Sequence, residues 1–206
     1  PLNATEDRVV GSLDMTHAIR QGRKQLERGL LAAADGQILY IDEVNLLSES
    51  LVSAILDAVS SGVNVVEREG ISDRHASRFV LVGSMNPEEG QLRPQLLDRF
   101  GLCVVVDGEG QLQRRVEIIR RRLAFEAHPT RFAETYGPRE RILRDRIDAA
   151  RERVPHLDLP EEAIDHVARV GFDAHVAGHR ADLVLTEAAR ALAAWKGESL
   201  VTPAHV

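Results

Sequence analysis

The sequence predicts an α/β fold, with a parallel sheet in the first half of the chain and an all-helical second half. Short β-type apolar runs alternate with helical patterns as far as Asp107, the order expected when crossover helices connect parallel strands. Beyond Asp107 the apolar spacing is helical throughout, with no further strand signal. The chain has 206 residues, enough to bury one larger core or a main domain with a small companion. These observations divide it into an α/β part, 1–107, and a helical part, 108–206.

Taken in order, Gln37 to Ile41 reads as a short buried strand after a turn at Gly36. Ser48 then suits a helix N-cap, and Leu51, Val52, Ile55, Leu56 and Val59 share one helical face. Val63 to Glu67 and Arg78 to Gly83 are two further strands. The polar stretch Arg68 to Arg74 between them predicts a hairpin insertion or a long crossing loop, with Glu67-Arg68-Glu69 as an exposed charged loop able to touch a partner. Gly101 to Val106 completes the set as another buried strand, enclosing the single cysteine, Cys103, as a reduced thiol. Helices follow through Val116, Ile119 and Leu123, then over Arg139 to Arg153, Pro160 to Val170 and Arg180 to Trp195, with Pro160 and Pro203 near helix starts.

Composition excludes several classes of function. Apolar residues make up 44% and charged residues 28%, and no apolar run approaches the roughly 20 residues that a membrane-spanning helix needs. A net charge of -6 argues against a general nucleic-acid binder, and no zinc-finger or base-stacking motif is present. One cysteine fits a reducing, cytoplasmic setting. The chain opens at Pro1 without an initiator methionine or a leader, so an internal stretch of a longer product is expected.

The chemistry begins at Ile38-Leu39-Tyr40-Ile41-Asp42-Glu43. An apolar strand ending in two adjacent carboxylates can hold a magnesium ion beside ATP phosphates with the first and polarise a water with the second. For the dipeptide alone, a surface turn is the simpler reading. A second apolar run, Phe79 to Gly83, ends in Ser84-Met85-Asn86-Pro87, where Asn86 could orient the same water or simply form an Asn-Pro turn. Arg99 follows a short helix in Leu92 to Gly101. Alone it would be a solvated residue, but its planar, permanently charged fork suits delocalised phosphate charge.

Together these features resemble the Walker B motif, sensor 1 and arginine finger of AAA+ ATPases. Longer runs, Thr5 to Gly11, Tyr40 to Leu47, Ser61 to Ser72 and Asn86 to Gly101, make the chain similar to the I-type subunit of magnesium or cobalt chelatases. The resemblance implies a P-loop NTPase core with a helical lid, ATP and Mg2+ as cofactors, and a motor that drives metal insertion into a tetrapyrrole. By resemblance Asp42 holds magnesium, Glu43 acts on water, Asn86 is sensor 1, Arg99 reaches a neighbour's nucleotide, and Arg180, in Gly178-His179-Arg180-Ala181-Asp182-Leu183, is the sensor 2 arginine. It also implies self-association into a ring, a hexamer, together with a D-type ATPase-like subunit carrying a metal-binding module and a large tetrapyrrole-binding subunit.

The chain departs from the family pattern in two places. The family has His-Pro where this chain has His75-Ala76-Ser77, and a lost proline should loosen that turn. No Gly-x-x-x-x-Gly-Lys-Ser/Thr loop precedes Asp42, and the resemblance places that loop upstream of Pro1. Two other readings therefore stay open, a MoxR-like ATPase that remodels other proteins and a scaffold subunit that does not hydrolyse ATP. His175 and His179 have metal-pair spacing but no third ligand nearby, and Arg120-Arg121-Arg122 reads as the solvated side of a helix.

Overall fold

The computed structural model describes residues 5–14, 26–68, 70–97, 99–176 and 178–206. The chain divides into two compact units, Pro1–Cys103 and Val104–Val206.

In the first unit α1 (Glu6–Val10) leads into β1 (Gly11–Leu13), which pairs antiparallel with β2 (Leu26–Arg28), followed by α2 (Leu30–Ala33). Strands β3 (Ile38–Ile41) and β6 (Val80–Gly83) form a parallel pair, with Ile38 opposite Val80 and Ile41 opposite Gly83. Between them run α3 (Glu49–Ser61) and the hairpin of β4 (Val63–Arg68) with β5 (Ile71–Ala76). As expected, the Ser48 side chain caps α3, accepting from Leu51 N–H, and Leu51, Val52, Ile55 and Leu56 are buried. The helix ends on Gly62 at φ 67°, a left-handed turn that glycine enters without a Cβ penalty.

Burial on β3 and β6 is one-sided. Leu39, Ile41, Phe79 and Leu81 pack against Leu31, Leu51, Ile55 and Ala58, whereas Ile38, Tyr40, Val80 and Val82 are exposed on the opposite face. The expected fully buried strand is therefore half-buried, because among the described residues no second layer covers that face. The expected strand at Gly101 to Val106 is absent, and Leu102, Val104, Val105 and Val106 stand exposed along with Cys103. An apolar run becomes a strand only beside a neighbour that takes its backbone hydrogen bonds, and none of the described strands pairs with it.

Of the two expectations for the polar insertion, the structure adopts the hairpin. Its second strand turns polar residues inward, and they form one chain of hydrogen bonds. Asn64 Nδ2 donates to Val10 C=O at 2.9 Å and lies 3.3 Å from His75 Nε2, while His75 Nδ1 lies 3.3 Å from Asp73 Oδ2, which also accepts from Arg28 Nε at 2.9 Å. Asn64 can only donate through that nitrogen, so His75 accepts at Nε2 and carries its proton on Nδ1. Glu67 and Arg68 belong to β4 rather than to a loop, and Glu69 lies outside the described residues. The turn expected to be loosened at Ala76-Ser77 is held: Ser77, fully buried, donates its hydroxyl to Leu31 C=O and its N–H to Gly62 C=O. Asn64→Ala would strand His75 and Val10 C=O, and a loss of about 1–3 kcal/mol is expected in denaturant unfolding.

The second unit comprises α5 (Leu112–Ala127), α6 (Pro129–Arg153), α7 (Glu161–Asp173) and α8 (Arg180–Lys196). Helix α6 begins ten residues before the expected Arg139. Phe132 and Tyr136 stack with centroids 4.6 Å apart, and the guanidinium groups of Arg121 and Arg139 lie over the Tyr136 ring, which supports the helix on both sides of Pro138. Alanines 150, 163, 189, 193 and 194 with Leu157 and Val201 make the core. Arg153 and Arg146 donate to the Ala194 and Trp195 carbonyls in the last turn of α8, where a helix leaves its C=O groups unpaired. An isolated parallel bridge, Asp158 with Leu200, is the one β pairing among the described residues here. His175 lies beyond α7 and His179 stands at the N-cap position of α8, so the two do not share a helix.

Candidate functional site

Parallel register decides which side chains meet. Ile41 and Gly83 are the last partners of β3 and β6, so Asp42 and Ser84 emerge side by side. Alternation also puts Asp42 on the same face as Tyr40, two residues back. The Ser84 hydroxyl donates to Asp42 Oδ1, and the Tyr40 hydroxyl lies 3.1 Å from Asp42 Oδ1 and 3.2 Å from Ser84 Oγ. Ser84 N–H donates to Ile41 C=O at 2.9 Å, and Val44 N–H donates to Ser84 C=O at 2.9 Å. The tips of both strands are thereby laced together.

Glu43 is a point of backbone strain, with φ 51° and ψ 51°. A left-handed conformation costs a non-glycine residue on the order of 1–2 kcal/mol. Strict alternation would aim this carboxylate at the core face. Instead the chain turns into a 3-10 segment, Val44–Leu46, and only Val44 is buried, 3% exposed. The Glu43 N–H donates to Ser84 Oγ at 3.3 Å, so one hydroxyl serves both acidic residues.

The Asp42 carboxyl is held below the usual carboxylate range, chiefly by the Ser84 hydrogen bond and then by that from Tyr40. Because the folded-state value is depressed, the charge and the stability linked to it are present above the unfolded-state value. They are lost only as pH falls through the lower folded value. Tyr40→Phe removes one donor to the charged form, so the Asp42 midpoint should move up toward the ordinary aspartate range, as read from its carboxyl carbon in an NMR titration. An unchanged midpoint would contradict the hydroxyl's contribution.

Asn86 stands two residues past Ser84 and caps the 3-10 segment Pro87–Glu89, its Oδ1 accepting from Glu88 N–H at 3.2 Å. Arg99 follows α4 (Pro94–Leu97) and is exposed. Its flanking residues Leu96 and Phe100 pack in one cluster with Val44, Val52 and Leu56, so the segment carrying Arg99 and the turn carrying Glu43 rest on shared core. Gly83 fits that cluster because an added Cβ would come within 3.0 Å of Phe100 and 3.1 Å of Val44. Arg180 opens α8 in the second unit and is partly buried. A cavity of about 370 Å³ lies beside the acidic tip, lined by Asp42 and Glu43 and by apolar residues including Val9, Leu30 and Leu51. Asn45, next to the tip, has both amide atoms buried with no hydrogen-bond partner among the described residues.

Residues 2–100 match the family model described as AAA domain (dynein-related subfamily), and residues 164–206 match the AAA lid domain. The chain is 50% identical over 206 residues to the magnesium-chelatase 38 kDa subunit of Acidiphilium rubrum, covering 100% of this chain and 60% of that protein. The chain belongs to the AAA+ family. An uncharacterised protein of Mycobacterium tuberculosis, Rv2850c, is 51% identical over 197 residues, covering 96% of this chain and 31% of that protein. A solved complex of BchI and BchD of magnesium chelatase, based on single-particle cryo-EM, is similar at 50% identity and a TM-score of 0.48, covering 100% of this chain and 64% of that one. The chain spans about half to three-fifths of the length of the magnesium-chelatase subunits it matches.

Within this AAA+ chain, one unit brings Asp42, Glu43 and Asn86 to adjacent strand ends and seats Arg99 on the same core. Tyr40 and Ser84 went unread as site residues. A tyrosine inside an apolar strand and a serine before an Asn-Pro turn carry no motif of their own, and only the parallel register joins them to Asp42.

Proposed function

We propose that this chain is the hydrolytic part of an ATP-driven chelatase motor subunit, which powers insertion of Mg2+ or Co2+ into a tetrapyrrole. The observation that carries the reading is the meeting of Asp42 and Glu43 with Ser84 at neighbouring ends of parallel strands, with Asn86 two residues beyond Ser84. It occurs in a chain 50% identical to a magnesium-chelatase 38 kDa subunit. The names of these relatives support the chelatase reading over MoxR-like remodelling and an inert scaffold.

The donor set suits Mg·ATP. Magnesium takes hard oxygen ligands, commonly one or two carboxylates together with phosphates, and Asp42 presents an exposed carboxylate kept ionised by two hydroxyl donors. When bound, the ion would neutralise charge on the phosphates. Asp42 would hold it, Glu43 would accept the proton of the attacking water, and Asn86 would donate its amide N–H to that water. Arg99 would supply positive charge to the site of a neighbouring subunit, and Arg180 would contact phosphates from the lid. A ring of such subunits, a hexamer, would act in the cytoplasm. It would work with a D-type subunit and with a large subunit that binds the tetrapyrrole.

The 206 residues contain no Gly-x-x-x-x-Gly-Lys-Ser/Thr loop, whose backbone amides and lysine cradle the phosphates. The isolated chain is therefore expected to bind ATP weakly and hydrolyse almost none of it, which calorimetry and phosphate release would check. In the full-length protein, reconstitution with D-type and tetrapyrrole-binding subunits should give ATP-dependent metal insertion. Normal ATP turnover with no insertion of either metal would assign the motor to a different client.

A further inference from the structure

We propose that Ser84 is a positioning residue of the hydrolytic site, its hydroxyl clamping the Asp42 side chain and the Glu43 backbone together across the ends of β3 and β6. The inference rests on the function proposed above and adds a residue to it.

A hydroxyl suits this place because it both donates and accepts. Ser84 Oγ donates to Asp42 Oδ1 and accepts the Glu43 N–H at 3.3 Å. The residue's backbone is engaged on both sides, with Ile41 C=O and Val44 N–H each at 2.9 Å, so Ser84 has little freedom to drift. Its two partners perform different tasks in the proposed chemistry. Asp42 must meet the metal with a fixed lone-pair direction, and Glu43 must keep its left-handed backbone, φ 51°, against the strain of that conformation. Loss of the hydroxyl leaves the Asp42 carboxylate with the Tyr40 hydroxyl alone and removes one restraint on the Glu43 turn. Tyr40 completes the arrangement, since its hydroxyl lies within hydrogen-bond distance of both Asp42 and Ser84. An alanine at 84 leaves the backbone lacing in place, and a threonine restores the hydroxyl.

The experiment compares Ser84→Ala, Ser84→Thr and Glu43→Gln in the full-length protein, measuring nucleotide affinity, kcat and the magnesium concentration for half-maximal turnover. Ser84→Ala should lower kcat by about 10- to 100-fold, the scale of a catalytic group displaced by an ångström. It should also raise the magnesium requirement while leaving nucleotide affinity near wild type. Ser84→Thr should recover most of the loss. Wild-type turnover in Ser84→Ala, or equal damage from Ala and Thr, would overturn the positioning role. So would a fall in affinity and melting temperature that accounts for the whole effect. Should Ser84→Ala fail to fold, Tyr40→Phe, which removes only the second hydroxyl from the same carboxylate, should show a smaller drop of the same kind, and no drop would count against the proposal. Glu43→Gln separates the two readings. If it hydrolyses ATP normally, the proposed site itself is wrong. If it is inactive while Ser84→Ala is fully active, only the clamp fails.

Discussion

Glu43→Gln in the full-length protein is expected to bind ATP as the wild type does and to lose hydrolysis by roughly 10²- to 10⁴-fold, the contribution of a general base in the transition state. The substitution keeps the length of the side chain and the backbone that Ser84 holds, and it removes only the group that can take a proton from water. Affinity depends on phosphate and base contacts, and the neighbouring Asp42 keeps its charge, so binding and chemistry should separate cleanly. Equilibrium binding of a fluorescent nucleotide and steady-state phosphate release measure the two. A parallel loss of affinity would move Glu43 from the chemistry to the binding of the nucleotide.

Arg99→Ala should fold and bind ATP while turnover falls by a factor on the order of 10³ or more, as when an arginine finger is lost from related NTPases. Folding should survive because Leu96 and Phe100, not Arg99, carry the packing of this segment, and Arg99 is exposed. The decisive test mixes two inactive proteins. Arg99→Ala combined with Glu43→Gln should recover part of the hydrolysis, since some boundaries would pair an intact Glu43 with an intact Arg99 from the next subunit. A mixture that co-assembles yet stays inactive would place Arg99 within its own site and remove the shared-site mechanism.

Asp42, Glu43 and Asn86 could be found in the sequence because each closes an apolar run, and a strand end is a place the pattern itself marks. Ser84 and Tyr40 could not. Their contribution depends on β3 and β6 being paired in parallel with Ile41 opposite Gly83, although about forty residues separate the two strands. The polar chain from Asn64 through His75 to Asp73 was hidden for a related reason, since Ile71 to Ala76 alternates without an apolar face. A strand can point polar groups inward when each finds a partner, and the partners come from α1 and β2. Gly101 to Val106 is the opposite case, a run with every local mark of a strand that none of the described strands pairs with.

By itself, then, the order of residues determined the class of fold, the two-part organisation in which strands give way to helices, the helix caps, and which carboxylates end a strand. Those are local properties, settled by hydrophobic period, backbone preference and capping within a few residues of each position. Only the tertiary structure decided that Ser84 and Tyr40 grip Asp42, that Glu43 sits in a left-handed turn, and that the segment carrying Arg99 rests on the core beneath Glu43. Strand register and side-chain packing join residues far apart in the chain, and such contacts form only when a whole unit closes around them.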